Sequence, residues 1–440
     1  MNSRLNVRSL ERLPAAVRRP DYDFLNLNVG IVHLGIGAFH RAHQAVYTDE
    51  AIRRRGGDWG ILGASLRHAA VPEALEAQQH LYTVETLGGE SGYQVIAAVR
   101  GTLCASEHPA QLLRALGSAR THIVTLTVTE KGYCLGANGE LDFAHPDIVH
   151  DLEFPEAPRS AIGWLAAGLA ERRRLPANPV TIISCDNLHA NGLKLRNAVA
   201  AFAERSRKGL LPWLQDSAAF PQTVVDCIVP AATDSSRARV RQALGVDDLA
   251  SVQREPFSQW VIEDRFAGPR PEWQETGVQI VADVKDYARL KLHVLNSCHS
   301  ALAYLGLPRG HVFVREAMAD PQLAHFLEEL VLREIAPALE PLAVIDYWRS
   351  VRARFLNRRI DHRLSQIAQD GAQKLAERIF PLMVANAEKG VPVQRLARIV
   401  RGWIDVTRGA ADVALDDLKL LPPAIRSNPV LRAAIAAPAA

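Results

Sequence analysis

The chain has 440 residues, of which 48% are hydrophobic and 22% charged, and its net charge is only +3. This composition is that of a globular protein, and the length is enough for two domains. The small charge gives no electrostatic reason to expect nucleic acid or an anionic membrane surface as a partner.

Short β-branched runs alternate with helical stretches through the first half of the chain. The predicted strands are 29–34, 59–64, 123–129 and 180–185, and the predicted helices are 40–55, 110–116 and 160–174. Strands that alternate with helices indicate an α/β fold with a mainly parallel sheet, covered on both faces.

The sequence changes character near residue 283. The later segments 291–305, 315–319, 322–335 and 364–379 have the spacing of amphipathic helices, and strand signals are few. The stretch 277–284 is interpreted either as a last strand or as a linker. We therefore predict an α/β domain over residues 1–280 and a mostly helical domain over residues 281–440.

A glycine-rich turn follows the first predicted strand. Its pattern, Gly35-x-Gly37-x-x-His40, differs from the dinucleotide fingerprint G-x-G-x-x-G by a histidine in place of the third glycine. Two glycines still permit a tight turn against a pyrophosphate, and a helix beginning near Phe39 would supply free N–H groups. The alternative is a turn that binds no ligand, because so short a motif has low specificity.

The residues after the second predicted strand bear on the choice between NAD and NADP. An NAD-binding fold usually places a carboxylate there to bind the ribose hydroxyls, whereas this chain has Ser65-Leu66-Arg67. Arg67 could accept a 2′-phosphate, or it could be an ordinary surface arginine. This stretch alone leaves the choice open.

Metal binding is not predicted. His40-x-x-His43 could place two imidazoles on one helix face, but no third ligand follows at a familiar spacing. The five cysteines are scattered and form no C-x-x-C pair. The segment 1–19 lacks an apolar core of signal-peptide length, and no apolar run could span a bilayer. We expect a reduced, cytoplasmic setting and no membrane association.

The segment 291–299, with the sequence KLHVLNSCH, contains the best candidates for catalysis. At about 100° per residue, Asn296 lies about 140° and His299 about 80° around an α-helix from Lys291. One arc of the helix could thus present a proton carrier, an amide and an imidazole to a carbonyl or hydroxyl group. The alternative for Lys291 is a solvated helix lysine.

Five motifs, in order along the chain, resemble those of the polyol-specific long-chain dehydrogenases. This family includes mannitol 2-dehydrogenase, fructuronate reductase and tagaturonate reductase. The motifs are GIGAFHRAHQ at 35–44, TEKGY at 129–133, SCDN at 184–187 with NG at 191–192, EPFSQWVIED at 255–264, and K-x4-N-x2-H at 291–299.

The resemblance implies a metal-independent, NAD(P)-linked enzyme with a Rossmann-like first domain, a helical second domain and an active site between them. It implies that Lys291 is the general acid/base and that Asn187 and Asn296 bind the substrate oxygen. His299 would position the substrate, and Asp226 would help to order the polar cluster. Members commonly use NAD, which favours NAD here, although NADP remains open.

The implied cofactor site begins at the glycine turn and includes Gly35, Gly37, Ala38 and Phe39, with Arg67 nearby. Glu130 stands at the end of a strand, where ligand sites gather in open sheets. It could contact the cofactor or a proton relay, or it could simply form a turn.

Finer matches bear on the substrate. Lys131 and the stretch 354–374 resemble the fructuronate reductases, whereas mannitol dehydrogenases often have arginine in place of Gln366. A guanidinium suits a carboxylate, so Arg363 is the predicted carboxylate contact and Lys374 a second basic group. Arg363 could equally be an ordinary surface or interdomain arginine.

The predicted reaction is the interconversion of D-fructuronate and D-mannonate with NAD(H). Mannitol 2-dehydrogenase and tagaturonate reductase activities are the nearest alternatives. A dinucleotide-binding protein without turnover and a zinc-dependent dehydrogenase are more distant ones. The sequence predicts a small-molecule substrate and does not predict the oligomeric state.

Overall fold

The computed structural model describes residues 4–89, 92–136, 138–174, 179–207, 209–408, 421 and 423–436. The chain divides into two compact units, Met1–Val284 and Lys285–Ala440. Every strand of the described residues lies in the first unit. They are β1 (Val17–Arg18), β2 (Val29–Leu34), β3 (Gly60–Ser65), β4 (Tyr82–Thr86), β5 (Gly92–Ile96), β6 (Val99–Cys104), β7 (Ile123–Leu126), β8 (Val180–Ser184), β9 (Ala218–Ala219), β10 (Thr223–Asp226), β11 (Val252–Arg254), β12 (Gln259–Glu263) and β13 (Gln279–Val281).

A six-stranded sheet with the order β6-β3-β2-β7-β8-β9 forms the centre of the first unit. All of its strand pairs are parallel. The order matches the 3-2-1-4-5-6 order of the doubly wound dinucleotide-binding fold. Such folds bind ligands beyond the carboxyl ends of the strands where the order reverses, which here are β2 and β7. The predicted α/β, Rossmann-like class is confirmed.

Two smaller sheets complete the first unit. One has the order β1-β5-β4-β11, and the other has the order β10-β12-β13. Each mixes parallel and antiparallel pairs. The stretch interpreted as a strand or a linker is the short strand β13, paired in parallel with β12.

Helices cover both faces of the large sheet. Ile123 and Val124 illustrate the pattern, because these neighbours belong to apolar clusters on opposite faces. Trp164 lies in one cluster, and Trp260 and Trp273 lie in the other. The helices of this unit are α1 (Ala38–Ala42), α2 (Gln44–Arg55), α3 (Ala70–Glu76), α4 (Pro109–Gly117), α5 (Pro146–Glu153), α6 (Ala161–Arg174), α7 (Asn191–Ser206), α8 (Leu210–Ser217) and α9 (Asp234–Leu244).

The described residues of the second unit are mostly helical, as predicted, and pack around one apolar cluster that includes Trp348 and Leu302. Two of its segments, Lys291–Asn296 and Val331–Ile335, are π-helices. The α-helices are α10 (Lys285–Leu290), α11 (Ser297–Gly306), α12 (Val314–Ala319), α13 (Pro321–Leu330), α14 (Ala336–Leu339), α15 (Val344–Phe355), α16 (Leu364–Ala368), α17 (Gly371–Arg378), α18 (Phe380–Glu388), α19 (Gln394–Arg408), α20 (Pro423–Arg426) and α21 (Pro429–Ala436).

Three predicted helices of this unit differ from the observed ones. The predicted helix 291–305 begins as the first π-helix and continues as α11. The predicted helix 364–379 is divided into α16 and α17, because Asp370 adopts a left-handed backbone with φ of 55°. The predicted helix 322–335 begins as α13 and continues as the second π-helix. Within the described ranges, no helix combines the length and the apolar character needed to cross a bilayer.

Candidate active site

The glycine turn lies directly beyond β2, at the point where the strand order reverses. Gly35 has φ of 93°, and a Cβ there would lie 2.1 Å from the carbonyl oxygen of Thr127. Only glycine therefore lets the chain pass so close to the end of β7. A Cβ on Gly37 would meet no atom nearer than 3.8 Å. The space over this turn is open, which fits a diphosphate lying against the backbone.

The helix after the turn is shorter than predicted. α1 covers only Ala38–Ala42, and His43, with φ of −126° and ψ of −85°, separates it from α2. The prediction of one helix over 40–55 was wrong at this point. Because a single turn aligns few peptide dipoles, the helix dipole of α1 would contribute little to phosphate binding here. Phe39 lies in α1 with its ring stacked on that of His43, at a centroid distance of 5.0 Å.

His40, which replaces the third glycine of the fingerprint, packs against the strand. Its ring stacks on the ring of His33 in β2, with centroids 3.4 Å apart and planes 14° apart. His33 is hydrogen bonded to the hydroxyls of Thr125 (2.7 Å) and Thr127 (2.9 Å). Burial lowers the pKa of His33 to about 3 and that of His40 well below its usual value. Two neutral rings thus make the helix–strand contact that glycine usually permits.

The motifs TEKGY and SCDN meet at the buried carboxylate of Asp186. This carboxylate accepts the N–H groups of Val128 (3.0 Å) and Thr129 (2.8 Å) and the hydroxyl of Tyr133 (2.7 Å). Thr129 has φ of 66°, a conformation that costs a β-branched residue about 1–3 kcal/mol. Asp186 therefore holds a strained turn that places exposed Glu130 at the carboxyl edge of the sheet.

The electrostatics of Asp186 follow from its position. Burial raises the pKa of Asp186, and the hydrogen bonds from Tyr133, Val128 and Thr129 oppose that rise. The sequence motif contained Asp186 and Tyr133, but sequence reasoning gave neither a role. Asn187, the predicted ligand of the substrate oxygen, follows Asp186 directly and is exposed.

The dipeptide Asn191-Gly192 joins β8 to β10. The side-chain amide of Asn191 donates to the carbonyls of Ser184 (3.3 Å) and Thr223 (3.2 Å), and its oxygen accepts the N–H of Thr223 (3.0 Å). A Cβ on Gly192 would lie 2.5 Å from the carbonyl oxygen of Pro221. These contacts fix β10, which ends at the buried Asp226.

Arg67 is exposed and forms an ion pair with Asp147 in the first turn of α5. Asp147 also belongs to a group with Cys134 and His145, whose potential ligand atoms lie within 4.8 Å of one another. Sequence reasoning found no such group, because these residues have no familiar ligand spacing.

Two features of this group oppose metal binding. The Nδ1 atom of His145 accepts the N–H of Asp147 at 3.2 Å. Burial and the charges of Asp147 and Asp151 raise the pKa of the Cys134 thiol to about 12, whereas metals bind the thiolate. The expected absence of a metal stays a prediction.

In the second unit, Lys291 and Asn296 are the first and last residues of a π-helix. A π-helix bonds each N–H to the carbonyl five residues earlier, so Asn296 lies one turn from Lys291 on the same side. The α-helical geometry predicted for this pair, about 140° apart, was wrong. His299 follows three residues after Asn296 in α11, a spacing that makes neighbours on a helix.

The end of α17 supports this π-helix. The carbonyl of Arg378 accepts the hydroxyl of Ser297 (3.1 Å) and lies 3.1 Å from Nδ1 of His293. Its guanidinium donates to the carbonyl of Asn296 (3.4 Å) and to the hydroxyl of Ser300 (3.1 Å). Arg378 was not predicted from the sequence, where nothing local links it to a segment 82 residues away.

Basic side chains gather around His299, which is buried. Its ring lies 4.5 Å from that of Phe355 and 5.0 Å from that of His362, measured between centroids. Burial lowers the pKa of His299 first, and His362, Arg354, Arg378 and Lys291 lower it further. A neutral imidazole in cationic surroundings is therefore expected near pH 7.

The two predicted carboxylate ligands lie differently with respect to this cluster. The ammonium of Lys374 donates a hydrogen bond to the carbonyl of Ile367 (3.1 Å). Burial of His362 lowers the pKa of its imidazole, and the charge of Lys374 lowers that pKa further. Arg363 is exposed at the start of α16, with its guanidinium 5.3 Å from the ring centroid of Phe313. Lys374 thus belongs to the surroundings of His362, whereas Arg363 packs on an aromatic ring.

Both units match known families over most of their length. Residues 29–275 match the mannitol dehydrogenase Rossmann domain, and residues 283–420 match the mannitol dehydrogenase C-terminal domain. The chain is 41% identical over 406 residues to the uncharacterized oxidoreductase YeiQ of Escherichia coli K12 (91% of this chain, 83% of the relative). It is 40% identical over 406 residues to the D-mannonate oxidoreductase of the same organism (89% of this chain, 83% of the relative).

A solved structure agrees with these matches. Mannitol 2-dehydrogenase of Pseudomonas fluorescens, in a ternary complex with NAD and D-mannitol, has a TM-score of 0.89 and 32% sequence identity. The alignment covers 98% of this chain and 95% of that one. The chain belongs to the mannitol dehydrogenase family of oxidoreductases.

Proposed function

We propose that this protein interconverts D-fructuronate and D-mannonate with NAD(H), without a metal, and that Lys291 is the general acid/base. The observation that carries the choice of a sugar acid is the cationic surrounding of His299, to which Arg354 and Arg378 contribute. A substrate carboxylate gains from such surroundings, whereas a neutral polyol does not. The 40% sequence identity to a D-mannonate oxidoreductase supports the same choice.

The first unit fits a nicotinamide dinucleotide. The space beside Gly37 is open, and the backbone at Gly35 passes close to that of Thr127; both features suit a diphosphate against the turn. Ala38 and Phe39 follow at the start of α1, and we propose that they line the same site. The related mannitol 2-dehydrogenase binds NAD, which favours NAD over NADP here. The bound dinucleotide would supply or accept the hydride.

The chain's own residues would manage the charge and the proton. Hydride addition to a ketone carbon leaves a negative charge on its oxygen, and the amides of Asn187 and Asn296 would stabilise that oxygen. The ammonium of Lys291 would then donate a proton to it, giving the alcohol. In the reverse direction, the neutral amine of Lys291 would remove the hydroxyl proton as hydride leaves.

The remaining candidates would support these groups. We propose that His299 orients the substrate by hydrogen bonding, as a neutral imidazole, and that Asp226 orders the polar cluster. Glu130 would exchange protons or contact the cofactor from its strained turn. Arg363 keeps its proposed role as a carboxylate ligand, with Lys374 as a second basic group. The five cysteines are all free thiols, which suits the reducing compartment that we propose.

A substrate comparison tests the proposal. Purified protein is assayed with NADH and D-fructuronate, D-tagaturonate or D-fructose in parallel, following the loss of NADH absorbance. We expect the highest kcat/KM for D-fructuronate. A wide preference for D-fructose would refute the sugar-acid assignment. It would establish the second candidate, a mannitol 2-dehydrogenase, which the structural match to that enzyme favours.

A pair of variants links that preference to the cationic cluster. Arg354→Gln removes a buried charge of α15 near His299 and should raise KM for D-fructuronate by about tenfold, with KM for D-fructose unchanged. Arg349→Gln is the control, because Arg349 is exposed on the same helix and pairs with Asp346 at 2.6 Å. If Arg354→Gln raised KM equally for both substrates, the cationic cluster would have no specific role in recognising the carboxylate.

A further inference from the structure

The ribose end of the proposed dinucleotide site lacks its usual acidic residue. In the doubly wound fold, a carboxylate about 20 residues beyond the glycine turn binds the ribose hydroxyls of NAD. The corresponding strand here is β3, beside β2 in the sheet, and the seven residues that follow it, 66–72, have no carboxylate. The cation that follows, Arg67, is the group that would attract the 2′-phosphate of NADP.

We propose that Asp147 supplies this missing negative charge from α5, and that its ion pair with Arg67 makes the chain select NAD over NADP. The proposal rests on the proposed dinucleotide-dependent function. It assigns cofactor selectivity to Asp147, which lies 80 positions beyond Arg67 in the chain and outside the strand that normally provides the acidic residue.

The fold brings the two residues to the correct edge of the sheet. Arg67 stands two residues beyond the end of β3, and α5 follows β7 in the chain. Because β3, β2 and β7 are neighbouring parallel strands, their carboxyl ends lie at one edge, where dinucleotides bind in this fold. The ion pair between Arg67 and Asp147 shows that α5 reaches that edge.

The carboxylate is the fixed partner of the pair. Asp147 lies in the first turn of an eight-residue helix, whose dipole favours a negative charge there. Its side chain is 18% exposed, whereas that of Arg67 is 64% exposed. Arg67 is therefore the partner that is free to move toward a ligand, and Asp147 determines whether its charge is available.

The charges explain the direction of the selectivity. A 2′-phosphate would have to compete with Asp147 for Arg67 and would then lie beside a carboxylate of the same sign. A ribose hydroxyl meets no such repulsion and can donate a hydrogen bond to the carboxylate. The nearby Cys134 thiol, whose pKa rises through burial and then through Asp147 and Asp151, also indicates local surroundings that disfavour an anion.

Direct binding measurements test the proposal without relying on turnover. NADH and NADPH are titrated separately into the purified full-length chain, followed by isothermal calorimetry. We expect Asp147→Asn to tighten NADPH binding by about tenfold and to weaken NADH binding only slightly, because Arg67 is released. Arg67→Ala should act in the opposite direction, weakening NADPH binding further while NADH binding stays the same.

A matched control separates this effect from a general change of surface charge. Asp234 lies in the first turn of α9 and pairs with Arg237 at 3.2 Å, so Asp234→Asn removes the same kind of ion pair elsewhere. It should leave both affinities unchanged. Exposed ion pairs contribute little to stability, and circular dichroism would verify that each variant is folded.

The outcomes distinguish a failure of the selectivity proposal from a failure of the proposed dinucleotide-dependent function. An NADPH-to-NADH affinity ratio that is unchanged in both Asp147→Asn and Arg67→Ala would overturn the selectivity proposal and leave the dinucleotide function standing. Binding of neither dinucleotide to the unmodified chain would instead refute the proposed function itself. A shift in opposite directions in the two variants would support the ion pair as the selectivity determinant.

Discussion

Replacing Asp186 by asparagine tests whether its carboxylate holds the end of β7 in a reactive geometry. The carboxylate accepts two backbone N–H groups, from Val128 and Thr129, and one hydroxyl, from Tyr133. Asparagine keeps the shape of the side chain but exchanges one acceptor oxygen for an NH₂ donor. The exchange therefore removes hydrogen-bond acceptance at one of the two oxygen positions and leaves the packing intact.

The size of the effect follows from these three contacts. If the NH₂ group replaces Oδ1, the N–H of Thr129 loses its acceptor; if it replaces Oδ2, the N–H of Val128 does. A buried donor left unpaired costs about 1–3 kcal/mol. The positive φ of Thr129 costs a similar amount, about 1–3 kcal/mol, so the loss is large enough to let the turn relax. We expect kcat to fall by about ten- to a hundredfold, as displacements near 1 Å do.

Urea denaturation and steady-state kinetics on the same samples measure both effects. Asp248→Asn is the matched control, because Asp248 is also buried and accepts two backbone N–H groups, from Thr83 (2.7 Å) and Ala250 (2.9 Å), and one side-chain amide, from Gln78 (2.9 Å). Both variants should lose similar stability, and only Asp186→Asn should lose kcat. Unchanged kcat in Asp186→Asn, with its stability lowered, would refute the idea that the turn is held for catalysis.

Four further predictions concern other parts of the molecule. Lys291→Ala should lower kcat by about 10²–10⁴-fold with dinucleotide affinity retained; near-normal turnover would place the proton carrier elsewhere. Arg378→Ala should lower kcat about tenfold or more, since the π-helix loses its support, and an unchanged kcat would contradict this. His33 has a depressed pKa of about 3, so the unfolded chain binds more protons between about pH 6.5 and 3. As the pH is lowered through this range, this group should reduce the free energy of unfolding by about 1.4 kcal/mol per pH unit. Urea denaturation of His33→Asn should show a smaller loss of stability per pH unit. Exhaustive chelation should leave activity intact. A loss of activity on chelation that added zinc reverses would indicate a metal site.

Much of the fold could be predicted because its strands are short, apolar and buried on both faces. The strand predicted over 29–34 coincides with β2. The predicted strand 123–129 ends at Leu126 instead, because the next residues turn to bind Asp186. The break between α16 and α17 carried a local signal that was overlooked, since Asp370-Gly371 is a common turn dipeptide.

Sequence reasoning named candidate site residues mostly within the motifs, and their roles stay predictions. The π-helix at Lys291–Asn296 has no signal in apolar periodicity, because six residues are too few to distinguish it from an α-helix. The roles of Asp186 and Asn191 depend on contacts with Tyr133, 53 residues away, and Thr223, 32 residues away. The pairing of such distant positions follows from the tertiary fold and not from local pattern.

The π-helix makes the length of one short segment as important as its composition. Residues before Lys291 and after Asn296 are out of phase by one position relative to an uninterrupted α-helix. Deleting a single residue between them would regularise the helix and still leave the amine and the amide one turn apart. Adding a residue to the segment, or deleting two, would instead rotate the upstream part of the helix relative to the downstream part by roughly 100°. The segment should therefore tolerate exchange of its apolar side chains far better than an insertion or a deletion of two residues.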